Sequence, residues 1–275
     1  MGLINRLMGS LFDLLFLPFR SFNPWAGMVF ISLLTGLLML LIYRWTSNQT
    51  GIRRVKDKIK AHLLELRLYK DNMGVTMKAQ GQILKANLRY LGLNLKPLLV
   101  MIIPLILILA QLNLWFGSEP LTVGKPALVK IRVGPNVDIT GTEFSIKAPD
   151  AILVETSALR IDEQKEINWR VKPAAAGRFN LIIQAGDKSY EKTVIVDGRK
   201  LQKVSPLRVK RGIWDELLYP GEKPLPGDGQ IRTIEVVHSG KRLSLFGLRL
   251  HWLVAYLLLS IVFGFALKKP FGVEI

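Results

Sequence analysis

Two uncharged runs flank a basic, helix-patterned stretch, and a block of short alternating segments follows; together they predict an integral membrane α-helical protein with an inserted β domain. In full, the expected fold is three transmembrane helices with a cytoplasmic helical hairpin, plus an extracytoplasmic immunoglobulin-like β-sandwich placed before the last span. Composition agrees: 49% of the 275 residues are hydrophobic while the sequence pI is near 10.1, a pairing unusual in a soluble chain. The positive charge is concentrated. Residues 44–96 carry twelve basic and three acidic side chains, a net +9 within a chain total of +17, which reads as a topology signal before a nucleic-acid one. The absence of cysteine excludes a disulfide framework and a thiolate metal site, and it suits an extracytoplasmic part.

Residues 1–24 are expected to form an external interfacial helix. They have an apolar majority without the small-residue cleavage motif of a signal peptide, and Arg6, Gly9, Ser10 and Asp13 recur on one helical face, with Pro18 or Pro24 as the stop. Asp13 is read as part of that wet face rather than as a proton carrier. Gly2 does not mark a myristoylation site, because Arg6 stands where Ser or Thr is required. Residues 25–44 are the first span: nineteen uncharged residues, with Trp25 and Tyr43 as interfacial aromatics, match the length a helix needs to cross roughly 30 Å of hydrocarbon.

Residues 45–96 form the hairpin, or a bent coiled coil. Ile52, Val55, Ile59, Leu63 and Leu66 make one apolar stripe, Met73-Gly74 interrupts it, and Met77, Leu84, Leu88 and Leu91 resume it. A solvated face explains most of the lysines but not the bias to one sign. The candidate contact surface is therefore Arg53, Arg54, Lys56, Lys60, Arg67, Lys78, Lys85 and Arg89, facing anionic headgroups or ribosomal RNA. Residues 97–117 are the second span. Pro104 introduces a kink, and Gln111 and Asn113 near the far end act either as interhelical hydrogen-bonding groups or as the lining of a wet cavity.

Residues 118–205 carry the alternation and turn signals of a small antiparallel sandwich, with strands expected at 127–133, 143–148, 152–155, 167–171, 179–184 and 191–196 and Trp169 as a core anchor. Residues 206–247 read as a polar return segment, with turns at Pro220-Gly221 and Pro226-Gly227-Asp228-Gly229 and a short interfacial helix at 213–219. Residues 248–267 are the third span, with Arg249 and His251 at its entrance and Ser260 deeper. Residues 268–275, opening on Lys268-Lys269, are a tail. The positive-inside rule puts hairpin and tail in the cytoplasm and the N-terminal helix and sandwich outside.

Catalytic chemistry has little footing. His62, His238 and His251 fall in the hairpin, an external loop and a membrane boundary, so they assemble no metal site. Gly-x-Ser-x-Gly is missing, and Gly227-Asp228-Gly229 is a turn rather than a phosphate cradle. No catalytic residue, cofactor or metal is expected, and the chain is not read as an enzyme.

Residues 103–117 run Ile-Pro-Leu-Ile-Leu-Ile-Leu-Ala-Gln-Leu-Asn-Leu-Trp-Phe-Gly, and Phe246-Gly247-Leu248-Arg249 precedes the last apolar run. With the order of parts, these resemble the YidC-type membrane-protein insertase superfamily, above all its three-span branch, the endoplasmic-reticulum membrane complex subunit and the archaeal YidC-like proteins. The first stretch is similar to that family's second-span pattern of proline, aliphatic run, asparagine and Phe-Ser/Gly exit; the second is similar to its third-span entrance. The likeness covers residues 1–117 and 244–272. It departs in two places: Gram-negative YidC carries its external β domain before the conserved core, and the positive residue the family sets in its groove has as its nearest counterpart Arg44, at the cytoplasmic end of the first span.

The resemblance implies an insertase or insertion chaperone that eases polar segments through a hydrophilic intramembrane groove. Ser32, Thr35, Gln111, Asn113 and Ser260 would line it, Arg44 would mark its mouth and Pro104 its kinked wall. Implied partners are the lipid bilayer, nascent or small membrane proteins, the ribosome, an extracytoplasmic partner of the sandwich and a larger membrane complex. The implied location is the inner (cytoplasmic) membrane of a prokaryotic cell. Two other readings stay open. A structural anchor displaying the sandwich to a partner predicts dry, small-residue contacts between spans, and a channel or transporter subunit would need a continuous polar stripe.

Overall fold

The computed structural model describes residues 2–198, 200–227, 229–245 and 248–274. The chain divides into two compact units, Met1–Gly27 with Ile106–Val254, and Met28–Leu105 with Ala255–Ile275.

In the first unit, α1 (Leu3–Phe16) passes into a 3-10 turn at Leu17–Phe19, where Pro18 ends it. Its Phe16 ring lies 4.8 Å from Trp115 and 5.6 Å from Phe116, both in the last turn of α4 (Met73–Phe116). Asn5, Phe12 and Phe16 share one side of α1 by helical spacing, and Leu3, Leu7, Leu11 and Leu14 share roughly the opposite side. The first set is buried and the leucines are exposed. The helix thus has two apolar sides instead of one apolar and one wet. Gly9, expected on the wet face, is buried, and Asp13 faces Arg20 at 4.0 Å and Lys203 at 3.8 Å.

β1 (Ala127–Val133), β3 (Ile152–Val154), β5 (Glu166–Pro173), β8 (Leu207–Val209) and β9 (Ile231–Val236) build one antiparallel sheet in the order β3-β5-β1-β9-β8, with β4 (Leu159–Ile161) also on β5. A second sheet joins β2 (Phe144–Lys147), β6 (Gly177–Ala185) and β7 (Lys188–Val196). Val129, Ile131, Ile167 and Val171 of the first and Leu181, Ile183 and Val194 of the second share a core with Trp169. This is a sandwich-like arrangement. One charge is buried beside it: Lys192 is fully enclosed, donating to the Glu222 carboxylate and, at 2.7 Å, to the Ser205 carbonyl. Burial pushes the Lys192 pKa down, against the pull of Glu222.

Three sequence boundaries move. The return segment is not separate from the sandwich, since β8 and β9 come from it and β9 pairs with β1. Its short helix is α5 (Ile213–Leu218). Leu248 to His251, expected as helix, forms β11 (Leu248–His251) paired with β10 (Arg242–Leu245), so α6 is Trp252–Lys268, capped where His251 Nδ1 accepts the Leu253 N–H at 3.2 Å. Phe246, Gly247 and Asp228 lie outside the described residues.

The second unit takes most of α2 (Pro24–Thr46), which opens on a proline after an Asn23 side chain that accepts the Trp25 N–H at 3.1 Å. The Trp25 indole N–H donates to the Ser244 carbonyl at 2.7 Å. α3 (Gln49–Leu68) is capped by Asn48. The hairpin turn lies at residues 69–72, where the Asn72 side chain accepts from Val75 at 3.2 Å, so Met73-Gly74 is already the first turn of α4. That helix runs 44 residues through Pro97 and Pro104, about 66 Å at 1.5 Å per residue. The second hairpin arm and the second expected span are therefore one element. Pro24–Thr46 and Met73–Phe116 are long and apolar enough to cross a membrane; Trp252–Lys268 is apolar with 17 residues. The tail folds back: Val273 and Phe271 pack on Leu40, Tyr43 and Ile52, and Lys56 bonds Glu274 at 3.0 Å, holding that carboxyl below its ordinary pKa.

Candidate functional site

Three helices of the second unit enclose a crevice of about 540 Å³. Its floor comes from α2 through Thr35, Gly36, Met39, Leu40 and Tyr43. One wall is the face of α4 that repeats as Leu91, Asn94, Leu95, Leu98, Met101, Ile102 and Leu105; the other is Tyr256, Leu257, Ser260, Ile261, Gly264 and Phe265 of α6. The spacing of three and four keeps each set on one helical face. Thr35, Leu40 and Tyr43 are buried, whereas Leu98 and Phe265 are 54% and 52% exposed, so the crevice opens sideways between α4 and α6.

Two glycines set its shape. A Cβ at Gly36 would stand 3.0 Å from the Ser260 carbonyl and 3.2 Å from the Gly264 nitrogen, so α2 and α6 meet backbone to backbone there. A Cβ at Gly264 would meet nothing within 4 Å, so the missing side chain leaves the crevice open.

The lining is largely apolar, with polar groups at two places. The Tyr43 hydroxyl donates to Asn94 Oδ1, and the Asn94 amide donates to the Tyr90 carbonyl at 2.7 Å. The Tyr256 hydroxyl bonds loosely with Thr35 and Ser260, at a geometry short of a well-formed hydrogen bond for any of the three oxygens. Leaving a buried polar group wholly unsatisfied costs about 1–3 kcal/mol; loosely bonded hydroxyls carry part of that cost, so this patch would gain by meeting better-placed donors and acceptors.

Of the residues expected in a groove, Thr35 and Ser260 are brought together here. Ser32 is buried with its Oγ unpartnered but is not in the lining. Gln111 and Asn113 belong to the other unit: Gln111 is buried with Oε1 unpaired, and Asn113 folds its amide over Gly117 as the helix ends. Neither is part of the crevice lining. The expected hydrophilic groove is thus an apolar crevice with a hydroxyl patch. Arg44 is exposed in the last turn of α2 and does not line it; neither does Pro104. Sequence reasoning missed Tyr256 and Asn94 and took Tyr43 for an interfacial ring. Asn94 carried a signal, an amide set inside the Leu91, Leu95, Leu98 stripe.

On the hairpin, Arg53, Arg54, Lys60, Arg67, Lys78, Lys85 and Arg89 are exposed, while Lys56 is drawn to Glu274. The histidines are engaged locally. His62 meets Glu65 at 2.9 Å, His251 caps α6, and His238 Nδ1 lies 2.6 Å from the Val236 carbonyl. Burial, with a smaller push from Lys192, takes the His238 pKa down to about 4. Among the described residues no three His, Asp or Glu side chains gather as metal ligands.

No family model matches the chain, and no curated protein does. Two solved structures are similar over part of it. Domains 4 and 5 of the S-layer protein SbsC are 19% identical with a TM-score of 0.23, over 30% of this chain and 48% of that one. Domains 5-6 of the same protein are 19% identical with a TM-score of 0.22, over 34% and 45%. The chain spans less than half the length of either structure it matches, and a likeness at these scores carries no argument about fold or function.

Proposed function

We propose that this chain is a membrane-protein insertase or insertion chaperone of the YidC-like type, with α2, α4 and α6 crossing the bilayer and the crevice receiving part of an incoming substrate. The observation that carries the reading is an apolar crevice, open sideways, with three hydroxyls in its lining that bond only loosely with one another. Apolar walls accept the side chains of a segment leaving water. The hydroxyls offer partners to backbone or polar groups whose passage into hydrocarbon otherwise costs several kcal/mol each. On the same reading the basic hairpin lies in the cytoplasm of a prokaryotic cell and meets nascent chains or the ribosome, and the sandwich, immunoglobulin-like in size, lies outside. The work is binding and partition, without covalent chemistry or a cofactor.

A second reading, a structural anchor for the sandwich, is favoured by one observation: the direct contact at Gly36 is the dry, small-residue packing such an anchor predicts. Reconstitution separates the two. Proteoliposomes holding the purified chain are expected to insert a short-tailed single-span substrate faster than protein-free liposomes, and a photo-crosslinker at Leu98 is expected to capture it. Gly264→Phe puts a ring into the crevice from an open position and should return the rate to the protein-free value. No acceleration and no crosslink would overturn the insertase reading, and acceleration untouched by Gly264→Phe would remove the crevice from it.

A further inference from the structure

α5 leaves the edge strand β8 after Lys210, Arg211 and Gly212, and it carries large apolar side chains outward. Ile213 is 88% exposed and Trp214 73%, with Leu218 and Tyr219 exposed beside them. The helix is held through Glu216, whose carbonyl accepts from the Asn5 amide and whose carboxylate accepts the Gly2 N–H at 3.2 Å and faces Arg211 at 3.9 Å. Next to it lies a depression of about 340 Å³ lined by Lys210, Arg211, Arg232 and Asp215, three cations to one acid. Arg232 is there because β9 slips register: Arg132 pairs with Thr233 and Val133 with Ile231, which leaves Arg232 as the extra residue.

An exposed tryptophan and isoleucine beside clustered arginine and lysine is the composition that suits a bilayer interface, with the ring at the acyl boundary and the cations at phosphate depth. The apolar surface also continues: the Gly2 and Asn5 contacts tie α5 to the start of α1, where Leu3 and Leu7 are exposed. A protein partner would be expected to meet an apolar groove or a free strand edge; the depression beside α5 is lined mainly by charged side chains, and the outer edge of β8 is taken by Leu225, whose N–H donates to the Val209 carbonyl and whose carbonyl accepts from Arg211. We propose that this corner of the sandwich unit docks on the anionic phospholipid headgroups of a bilayer, with Ile213 and Trp214 entering the interface. The inference rests on the chain being membrane-embedded, though not on its inserting substrates.

The chain has no cysteine, so Ile213→Cys places one environment-sensitive fluorophore, and Leu153→Cys, 60% exposed on β3 at the far edge of the same sheet, is the control. The full chain is reconstituted in nanodiscs of phosphatidylcholine with and without phosphatidylglycerol, each containing spin-labelled quencher lipid. Quenching at position 213 is expected to exceed that at 153 and to rise with phosphatidylglycerol. Lys210→Gln, Arg211→Gln and Arg232→Gln should each weaken that docking about fivefold, from about 1 kcal/mol per basic residue near an anionic surface. Equal quenching at the two positions, or indifference to lipid charge and to all three substitutions, overturns the proposal. So does a label at position 213 that is shielded from a water-soluble quencher and is also unquenched by the spin-labelled lipid, the mark of a protein occupant. Failure of the chain to co-elute with nanodiscs overturns the membrane reading and this one together, whereas co-elution without quenching overturns this one alone.

Discussion

Val129, Ile131, Ile167, Val171, Leu181 and Ile183 of the sandwich have no exposed surface, whereas Leu98, Leu99 and Ile103 on α4 of the helical unit are 54%, 57% and 66% exposed, and Leu258, Ile261, Val262 and Phe265 on α6 are each more than half exposed. The first unit closes a core from its own side chains. The second leaves contiguous apolar rows uncovered, which soluble monomers seldom do over large areas. The difference teaches what each unit draws its stability from: internal packing in one, and in the other an apolar surrounding that the chain does not supply, a bilayer on the proposed reading. Polar groups divide similarly. The buried ammonium of the sandwich unit is bonded to Glu222 and Ser205, while three hydroxyls beside the crevice bond only loosely with one another.

The largest effect should come from emptying the sandwich core. Trp169→Ala is expected to lower the stability of the β domain by about 3–5 kcal/mol, read as a shifted denaturant midpoint of the lipid-embedded chain, with the helical signal and the insertion rate unchanged. A parallel loss of insertion would break the separation between the units. Next comes the buried pair. Glu222→Gln leaves the Lys192 ammonium without its counter-charge and should cost about 3–5 kcal/mol, while Lys192→Met with Glu222→Leu together should be nearly neutral, because a buried ion pair gains little over apolar packing. Equal losses in the single and double variants would show that the pair holds the fold in another way.

The sandwich was more legible than the crevice, for reasons visible in single residues. β1 falls where alternation put it, Ala127–Val133. β9 was hidden because Ile231, Ile234 and Val236 are its core residues; the bulge at Arg232 turns a period of two into a step of three and then two, and the Gly and Pro turns around it read as loop. β11 was taken for helix because four residues directly before an apolar run carry too short a pattern to separate the two periods. In the crevice the limit is rotation. α2 and α6 are apolar all round, so their sequences do not encode which side faces a neighbour. Thr35 and Ser260 were reached through the family resemblance; Tyr256 and the contact at Gly36 needed the packed helices.

A smaller, pH-dependent effect sharpens the contrast from the sandwich side. The folded His238 pKa is about 4 against an ordinary 6.5, with burial as the main cause. Between those values the unfolded chain binds a proton that the fold does not. The stability is complete above pH 6.5 and falls as pH drops toward 4, by about 1.4 kcal/mol per pH unit. Denaturant midpoints at pH 7 and pH 5 should therefore separate more for the wild type than for His238→Gln. Identical shifts would mean that His238 is not the linked group.

The smallest effect on stability is expected in the crevice, and it is the most informative. Thr35→Val and Ser260→Ala each remove a buried hydroxyl whose partner is the loosely placed Tyr256 hydroxyl, so each gives up little, and replacing a poorly satisfied polar group by an apolar one of similar shape is nearly neutral or stabilising. Thermal unfolding in nanodiscs should move by no more than the equivalent of about 1 kcal/mol, in either direction. If those hydroxyls exist to meet a substrate, insertion of a segment with a polar tail should slow in both variants while that of a wholly apolar segment does not. The structural-anchor reading expects both substrates to behave alike. Stability retained with polar-tail insertion lost would show that these hydroxyls serve the substrate and not the fold, the reverse of what Lys192 does in the sandwich unit.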